Sequence, residues 1–225
     1  MSTQNIASYI DHTILNPDAA ATDIARICAE AVKHSFKSVC VNPIWVATVS
    51  EALAGSGVLT CSVIGFPFGA TPTASKVFEA KTVVADGANE VDMVIDIAAA
   101  KAGDEEALVA DISAVAQAVH DGGAILKVII ETALLSDDEK VLACRASVRA
   151  GADFVKTSTG FAGGGATVAD VALMRATVGP DLGVKASGGV RSLETAHAMI
   201  AAGATRLGSS SGVAIVEGEQ GAEGY

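Results

Sequence analysis

Aromatic side chains make up only 4% of this 225-residue chain, so its core has to be built from Ala, Val, Ile and Leu. Small and branched side chains of that kind suit helices packed closely on a parallel sheet. Basic residues are outnumbered by acidic ones, and the net charge is −11 at pH 7. That excludes non-specific binding to nucleic acid or anionic membrane, which needs basic surface. No apolar run reaches about 20 residues, so no transmembrane helix is expected. The opening MSTQNIASYIDHT lacks the basic, apolar and cleavage regions of a signal peptide, and a cytoplasmic protein is expected. Cys28, Cys40, Cys61 and Cys144 show no CxxC spacing and read as buried, reduced thiols. With no HxH or HxxxH cluster, a metal-dependent mechanism lacks ligands; neither metal nor cofactor is expected.

What is present is an alternation of short β-branched runs and Ala-rich amphipathic stretches. Strands are predicted at Tyr9–Thr13, Ser38–Asn42, Thr60–Phe66, Glu90–Asp96, Ala124–Glu131, Asp153–Ser158, Gly183–Ser187 and Thr205–Gly208. Their starts recur at roughly the 30-residue length of a βα unit. Asn16-Pro17 reads as a helix start, and Ser136-Asp137-Asp138-Glu139 as a capping box. Gly87, Gly151 and Gly203, each followed by Ala before a strand, read as left-handed helix caps. Eight such units predict an α/β fold, a single (β/α)8 TIM barrel over residues 1–216, with a flexible Gly- and Glu-rich tail over 217–225. A doubly wound open sheet is the alternative, but its Gly-rich first turn is missing after the first strand.

Barrel active sites sit at the C-terminal strand ends, and side chains alternate along a strand. Alternation puts Asp92, Val94 and Asp96 on one face, Lys127, Ile129 and Glu131 on another, and Lys156 and Lys185 on strands six and seven. One strand lysine reads as a buried salt bridge with Asp92, Asp96 or Glu131. Three on neighbouring strands read as chemistry, because packing alone selects Val or Ile.

A lysine amine attacks a carbonyl only when neutral, and at its ordinary pKa only about one in 2,500 is neutral at pH 7. Making it half neutral needs an environmental bias of about 4 kcal/mol. A second ammonium nearby and partial burial supply such a bias. Of Lys156 and Lys185, one then serves as nucleophile and the other as its cationic neighbour, while Asp92 moves protons.

Lys185–Arg191 after strand seven and Arg206–Gly212 after strand eight are rich in Gly and Ser. Barrels commonly hold phosphate between these two loops; tight βα turns are the plainer reading. His12, at the end of strand one, reads as catalytic or structural. His34, His120 and His197 read as surface residues of helices. Cys40 borders the pocket or is inert.

Lys156-Thr157-Ser158-Thr159-Gly160-Phe161 and Lys185-Ala186-Ser187-Gly188-Gly189-Val190-Arg191, with Asp11-His12-Thr13, Gly65-Phe66-Pro67-Phe68-Gly69 and Glu90-Val91-Asp92, carry a resemblance. Over nearly its whole length the chain resembles the deoxyribose-phosphate aldolases, a class I aldolase family. The resemblance implies reversible cleavage of 2-deoxy-D-ribose 5-phosphate to acetaldehyde and D-glyceraldehyde 3-phosphate, with no cofactor. It implies that Lys156 forms the Schiff base and that Asp92 and Lys185 transfer protons. Gly160, Gly188, Gly189, Ser210 and Ser211 would bind the phosphate, and Asp11, Thr13 and Lys127 would line the pocket and its hydrogen-bond network. A terminal tyrosine assists proton transfer in family members, and Tyr225 stands there. Some members carry a phosphate-binding lysine where this chain has Phe161. Family members often pair, so a homodimer is expected. Two rival readings are a phosphate-binding isomerase or epimerase with Asp92 as base, and a non-catalytic sugar-phosphate binding protein.

Overall fold

The computed structural model describes residues 6–221. Eight strands close into an all-parallel barrel in sequence order: β1 (Ile10–Ile14), β2 (Ser38–Val41), β3 (Leu59–Ile64), β4 (Glu90–Val94), β5 (Ile125–Ile129), β6 (Phe154–Lys156), β7 (Gly183–Ser187) and β8 (Arg206–Ser209). The principal helices outside it are α1 (Ala21–His34), α2 (Val46–Ala52), α3 (Thr73–Ala85), α4 (Ile97–Lys101), α5 (Glu105–Asp121), α6 (Asp137–Arg149), α7 (Val168–Val178), α8 (Leu193–Ala201) and α9 (Gly212–Glu217). The (β/α)8 expectation holds, and the open sheet is excluded by the pairing of β1 with β8.

Alternation along the strands divides the protein into two interiors. Val91 and Met93 of β4, Leu126 and Val128 of β5, and Val155 of β6 join the helices in one apolar layer. Each such side chain, taken from water, stabilises the fold by about 1.5–3 kcal/mol. The residues between them face the lumen, where Cys40, Cys61, Val63 and Leu15 form a separate small apolar cluster.

Local signals differ in how far they hold. Ser136 caps α6, its Oγ accepting from the Glu139 N–H at 3.4 Å while Glu139 accepts from the Ser136 N–H at 2.7 Å. Gly87, Gly151 and Gly203 all take positive φ, as expected for helix ends followed by a strand. Asn16-Pro17 starts no helix. It forms a turn closed by the Ala19 N–H on the Asn16 carbonyl, and α1 begins at Ala21. Several predicted strands run too far at their C-terminal ends. Asp96 lies beyond β4, exposed, accepting from the Ala99 N–H as the cap of α4, so it is not a charge inside the barrel. Glu131 lies beyond β5 with φ 57°, a left-handed conformation in which a strand cannot continue.

Glu217 closes α9, the Glu219 N–H donates to the Ala214 carbonyl, and the Gly221 N–H donates to the Arg191 carbonyl. The remainder of the expected tail, with Tyr225, lies outside the described residues. No helix among the described residues is long and apolar enough to cross a membrane.

Candidate active site

The three strand lysines converge on one carboxylate. Parallel pairing sets Asp92 opposite Lys127 and Lys156 opposite Lys185. Lys156 Nζ lies 2.9 Å and Lys185 Nζ 2.7 Å from Asp92 Oδ2, and Lys127 Nζ lies 2.8 Å from Asp92 Oδ1. Asp92, Lys127 and Lys185 have no exposed surface, and Lys156 is 3% exposed. Lys185 also meets Asp11 Oδ2 at 2.5 Å, and Lys127 meets Glu90 Oε2 at 2.6 Å. Below them Arg206 donates to Asp11 at 2.7 Å and to Glu90 at 2.8 Å, its guanidinium 5.3 Å from the centre of the Phe154 ring.

Charge pairing reverses the effect of burial. Burial alone would push Asp92 up, but Lys127, Lys156 and Lys185 outweigh it and hold the carboxyl well below the usual carboxylate range. Burial likewise favours a neutral Lys185, yet Asp11 and Asp92 hold it protonated well above the usual lysine range. Lys127 is raised in the same way against burial, chiefly by Asp92. Two of the three lysines are therefore held protonated at rest. Lys156 is the one that reaches the pocket, and it shares its carboxylate oxygen with Lys185.

That pocket opens at the C-terminal end of the barrel. It is lined by Thr13 and Lys156, by Thr159 and Gly160 after β6, by Gly188, Gly189 and Arg191 after β7, and by Ser210 after β8. Asp11 and Lys127 do not line it; they lie beneath, in the ion network, because β1 and β5 carry them one layer deeper. Ser211 also stands apart. Its N–H donates to Ser209 Oγ at 3.0 Å, and it borders a neighbouring recess with His12 and Glu30. Phe161 is half exposed, edge-on to Phe66 with ring centres 5.4 Å apart.

Glycine makes two of these approaches possible. A Cβ on Gly208 would come within 2.2 Å of Ser187 Oγ and 3.1 Å of Lys185 Cε, crowding the lysine off Asp92. A Cβ on Gly165 would meet the Gly188 carbonyl at 2.4 Å, so Gly163-Gly164-Gly165 lets the loop after β6 lie against the loop after β7.

Other candidates separate clearly. His12 points away from the lumen and meets Glu30 of α1 at 2.7 Å, a structural contact. His120 pairs with Asp153 at 2.8 Å. All four cysteines are buried and unbridged. Cys40 and Cys61, free thiols as the spacing predicts, are nevertheless register partners on β2 and β3. Their sulfurs and an Asp92 oxygen lie within 4.8 Å of one another, and Cys61 Sγ donates to Asp92 Oδ1 at 3.3 Å. A cation there would compete with three ammoniums already on Asp92.

Glu90 carried no role in the sequence reading, and Arg191 and Arg206 entered it only as ends of the two Gly- and Ser-rich loops. Alternation from Asp92 was enough to place Glu90 in the lumen. The Arg206–Glu90 pair spans 116 residues and only barrel closure reveals it.

Comparison with known proteins follows the same lines. A family model described as DeoC/LacD family aldolase matches residues 5–218. The chain is 61% identical over 215 residues to the deoxyribose-phosphate aldolase of Lysinibacillus sphaericus, covering 96% of each. It is 59% identical over 222 residues to that of Micrococcus luteus, covering 96% of this chain and 97% of the other. Among solved structures it superposes on the tetrameric deoxyribose phosphate aldolase of Aeropyrum pernix with a TM-score of 0.91 and 37% identity, covering 96% of this chain and 91% of that one.

Proposed function

The chain belongs to the DeoC/LacD family of aldolases and is a carbon–carbon lyase; on that premise we propose that it reversibly cleaves 2-deoxy-D-ribose 5-phosphate through a Schiff base on Lys156. The observation that carries the reading is one shared oxygen. Asp92 Oδ2 accepts from both Lys156 and Lys185, at the floor of a pocket whose rim is Gly- and Ser-rich backbone.

Neutral Lys156 adds to the C1 carbonyl of the open-chain sugar, and loss of water leaves an iminium. The C3 hydroxyl gives up its proton, the C2–C3 bond breaks, and its electron pair enters the iminium to form an enamine. C3 becomes the aldehyde of glyceraldehyde 3-phosphate. Protonation of the enamine at C2 and hydrolysis release acetaldehyde and the free amine. Asp92, the carboxylate that bridges Lys156 and Lys185, takes up the C3 proton, and Lys185, protonated at rest, delivers a proton to C2 and is recharged through Asp92. Tyr225 joins the proton-transfer set only by resemblance.

Phosphate is assigned to Gly160, Gly188, Gly189 and Ser210, with Arg191 as the added cation where Phe161 supplies none. Ser211 is assigned a place behind Ser210, and Asp11 and Lys127 support the ion network beneath. A cytoplasmic setting accords with four free thiols, and self-association as a homodimer is part of the proposal.

Acetaldehyde with borohydride is expected to fix a two-carbon adduct on Lys156, read by peptide mass. An unmodified Lys156 in enzyme that still releases acetaldehyde from the sugar phosphate refutes the nucleophile. The isomerase and binding-protein readings predict no adduct, and both leave the convergence of three lysines unexplained.

A further inference from the structure

Glu131 is a buried carboxylate that the mechanism above does not use. It is 1% exposed and sits two residues past the end of β5, in a left-handed conformation that a glutamate rarely adopts. Non-glycine residues held this way persist where the surroundings over-determine them, often at functional sites.

What over-determines Glu131 is Thr159. Both Glu131 oxygens accept from the Thr159 N–H, at 3.3 and 3.2 Å, and Oε2 also accepts from the Thr159 hydroxyl. The same hydroxyl accepts from the Phe161 N–H at 3.0 Å. Thr159 is in turn part of the wall of the Lys156 pocket, next to Gly160. One carboxylate from the loop after β5 thus sets the turn that follows the Schiff-base strand.

The lumen network joins Lys127, Lys156, Lys185 and Arg206 to Asp11, Glu90 and Asp92, and Glu131 forms no ion pair within it; its oxygens are turned to Thr159 instead.

We propose that Glu131 is a positioning residue for the aldolase reaction: it fixes Thr159 at the edge of the Lys156 pocket. Burial pushes the Glu131 carboxyl up, against Thr159 and Lys156.

The inference rests on the Lys156 Schiff base, and adduct formation in the unaltered enzyme tests that premise separately. The test uses Glu131→Gln and Glu131→Asp. Gln keeps one acceptor oxygen for Thr159; Asp keeps two and shortens the reach. In Glu131→Asp, KM for the sugar phosphate is expected to rise about tenfold with kcat within about twofold of the unaltered enzyme, because a pocket wall is displaced and the reacting groups are not. In Glu131→Gln the rise in KM is expected to be smaller, about threefold, again with kcat held. A folded Asp variant with unaltered KM, or one in which kcat falls while KM holds, overturns the proposal. If the Asp variant does not fold, a Gln variant with unaltered KM overturns it equally.

Discussion

The lumen of the barrel and the layer between barrel and helices are built from alternate residues of the same strands, yet they are held together by opposite physics. In β5, Leu126 and Val128 face the helices, while Lys127 faces the lumen among carboxylates. The outer layer depends on area and volume, which many apolar sequences satisfy. The lumen depends on a count of charges in which each member is needed by the others. Burying one of these ions without its partners costs several kcal/mol, so the network stands or falls as a unit. Stability draws on both regions, the proposed chemistry on the second alone.

Substitutions that act on one region and spare the other sharpen this contrast. The largest effect is expected for Lys156→Ala: activity on the sugar phosphate should fall by more than about 10³-fold while the circular dichroism spectrum stays unchanged. Residual turnover near that of the unaltered enzyme would move the chemistry elsewhere. Asp92→Asn comes next, because it strikes both properties. Three ammoniums lose their shared anion, so kcat should drop about 10²–10⁴-fold. Denaturant unfolding should show a loss of about 3–5 kcal/mol. Leu126→Ala is the counterpart from the outer layer. It should cost about 2–5 kcal/mol in unfolding free energy, with kcat/KM intact at temperatures where the variant is folded.

Acid gives a smaller and signed test. Asp92 and Asp11 are both depressed below the ordinary carboxylate range by the surrounding cations, against burial. A depressed carboxyl contributes stability that is present above its unfolded value, about pH 3.9, and lost as pH falls through its folded value. Glu131, raised by burial, has the opposite sign: its contribution is present at low pH and lost as pH rises. The carboxylates of the lumen outnumber it, so the urea midpoint should hold from pH 7 to about 4 and decline below. The least change is expected at the thiols of the outer layer. Burial pushes Cys28 up to about 11 and Cys144 up to about 12, so neither should react with a thiol reagent at pH 8 before unfolding.

Much of this organisation is written locally and was therefore legible. Eight β-branched runs at βα spacing announce the barrel, and period-two alternation carries Lys156, Lys185 and Asp92 to one side of their strands. What alternation cannot express is which residues meet across the lumen. That Lys127, Lys156 and Lys185 share one carboxylate, and that Arg206 grips Glu90, follows from closure and from the stagger of the strands. Hence burial of the lysines was expected to lower their pKa, and pairing raised two of them instead. Strand ends were blurred for a different reason. Asp96 and Glu131 continue the alternating pattern in sequence, but one turns into a helix cap and the other into a left-handed turn. Cys40 and Cys61 lie 21 positions apart, and only the β2–β3 register makes them neighbours.

The pocket rim after β6, β7 and β8 is made largely of glycine, serine and main chain, with Thr159 and Arg191 among them, whereas the amines beneath it belong to hydrogen-bonded strands. On the proposed reaction, recognition of the sugar's tail and breakage of its carbon bond occupy separate storeys of the molecule. Lengthening or recharging a rim loop is then expected to retune which aldehyde is accepted without moving the proposed nucleophile. A lineage altering its diet of substrates would need to edit only the upper storey.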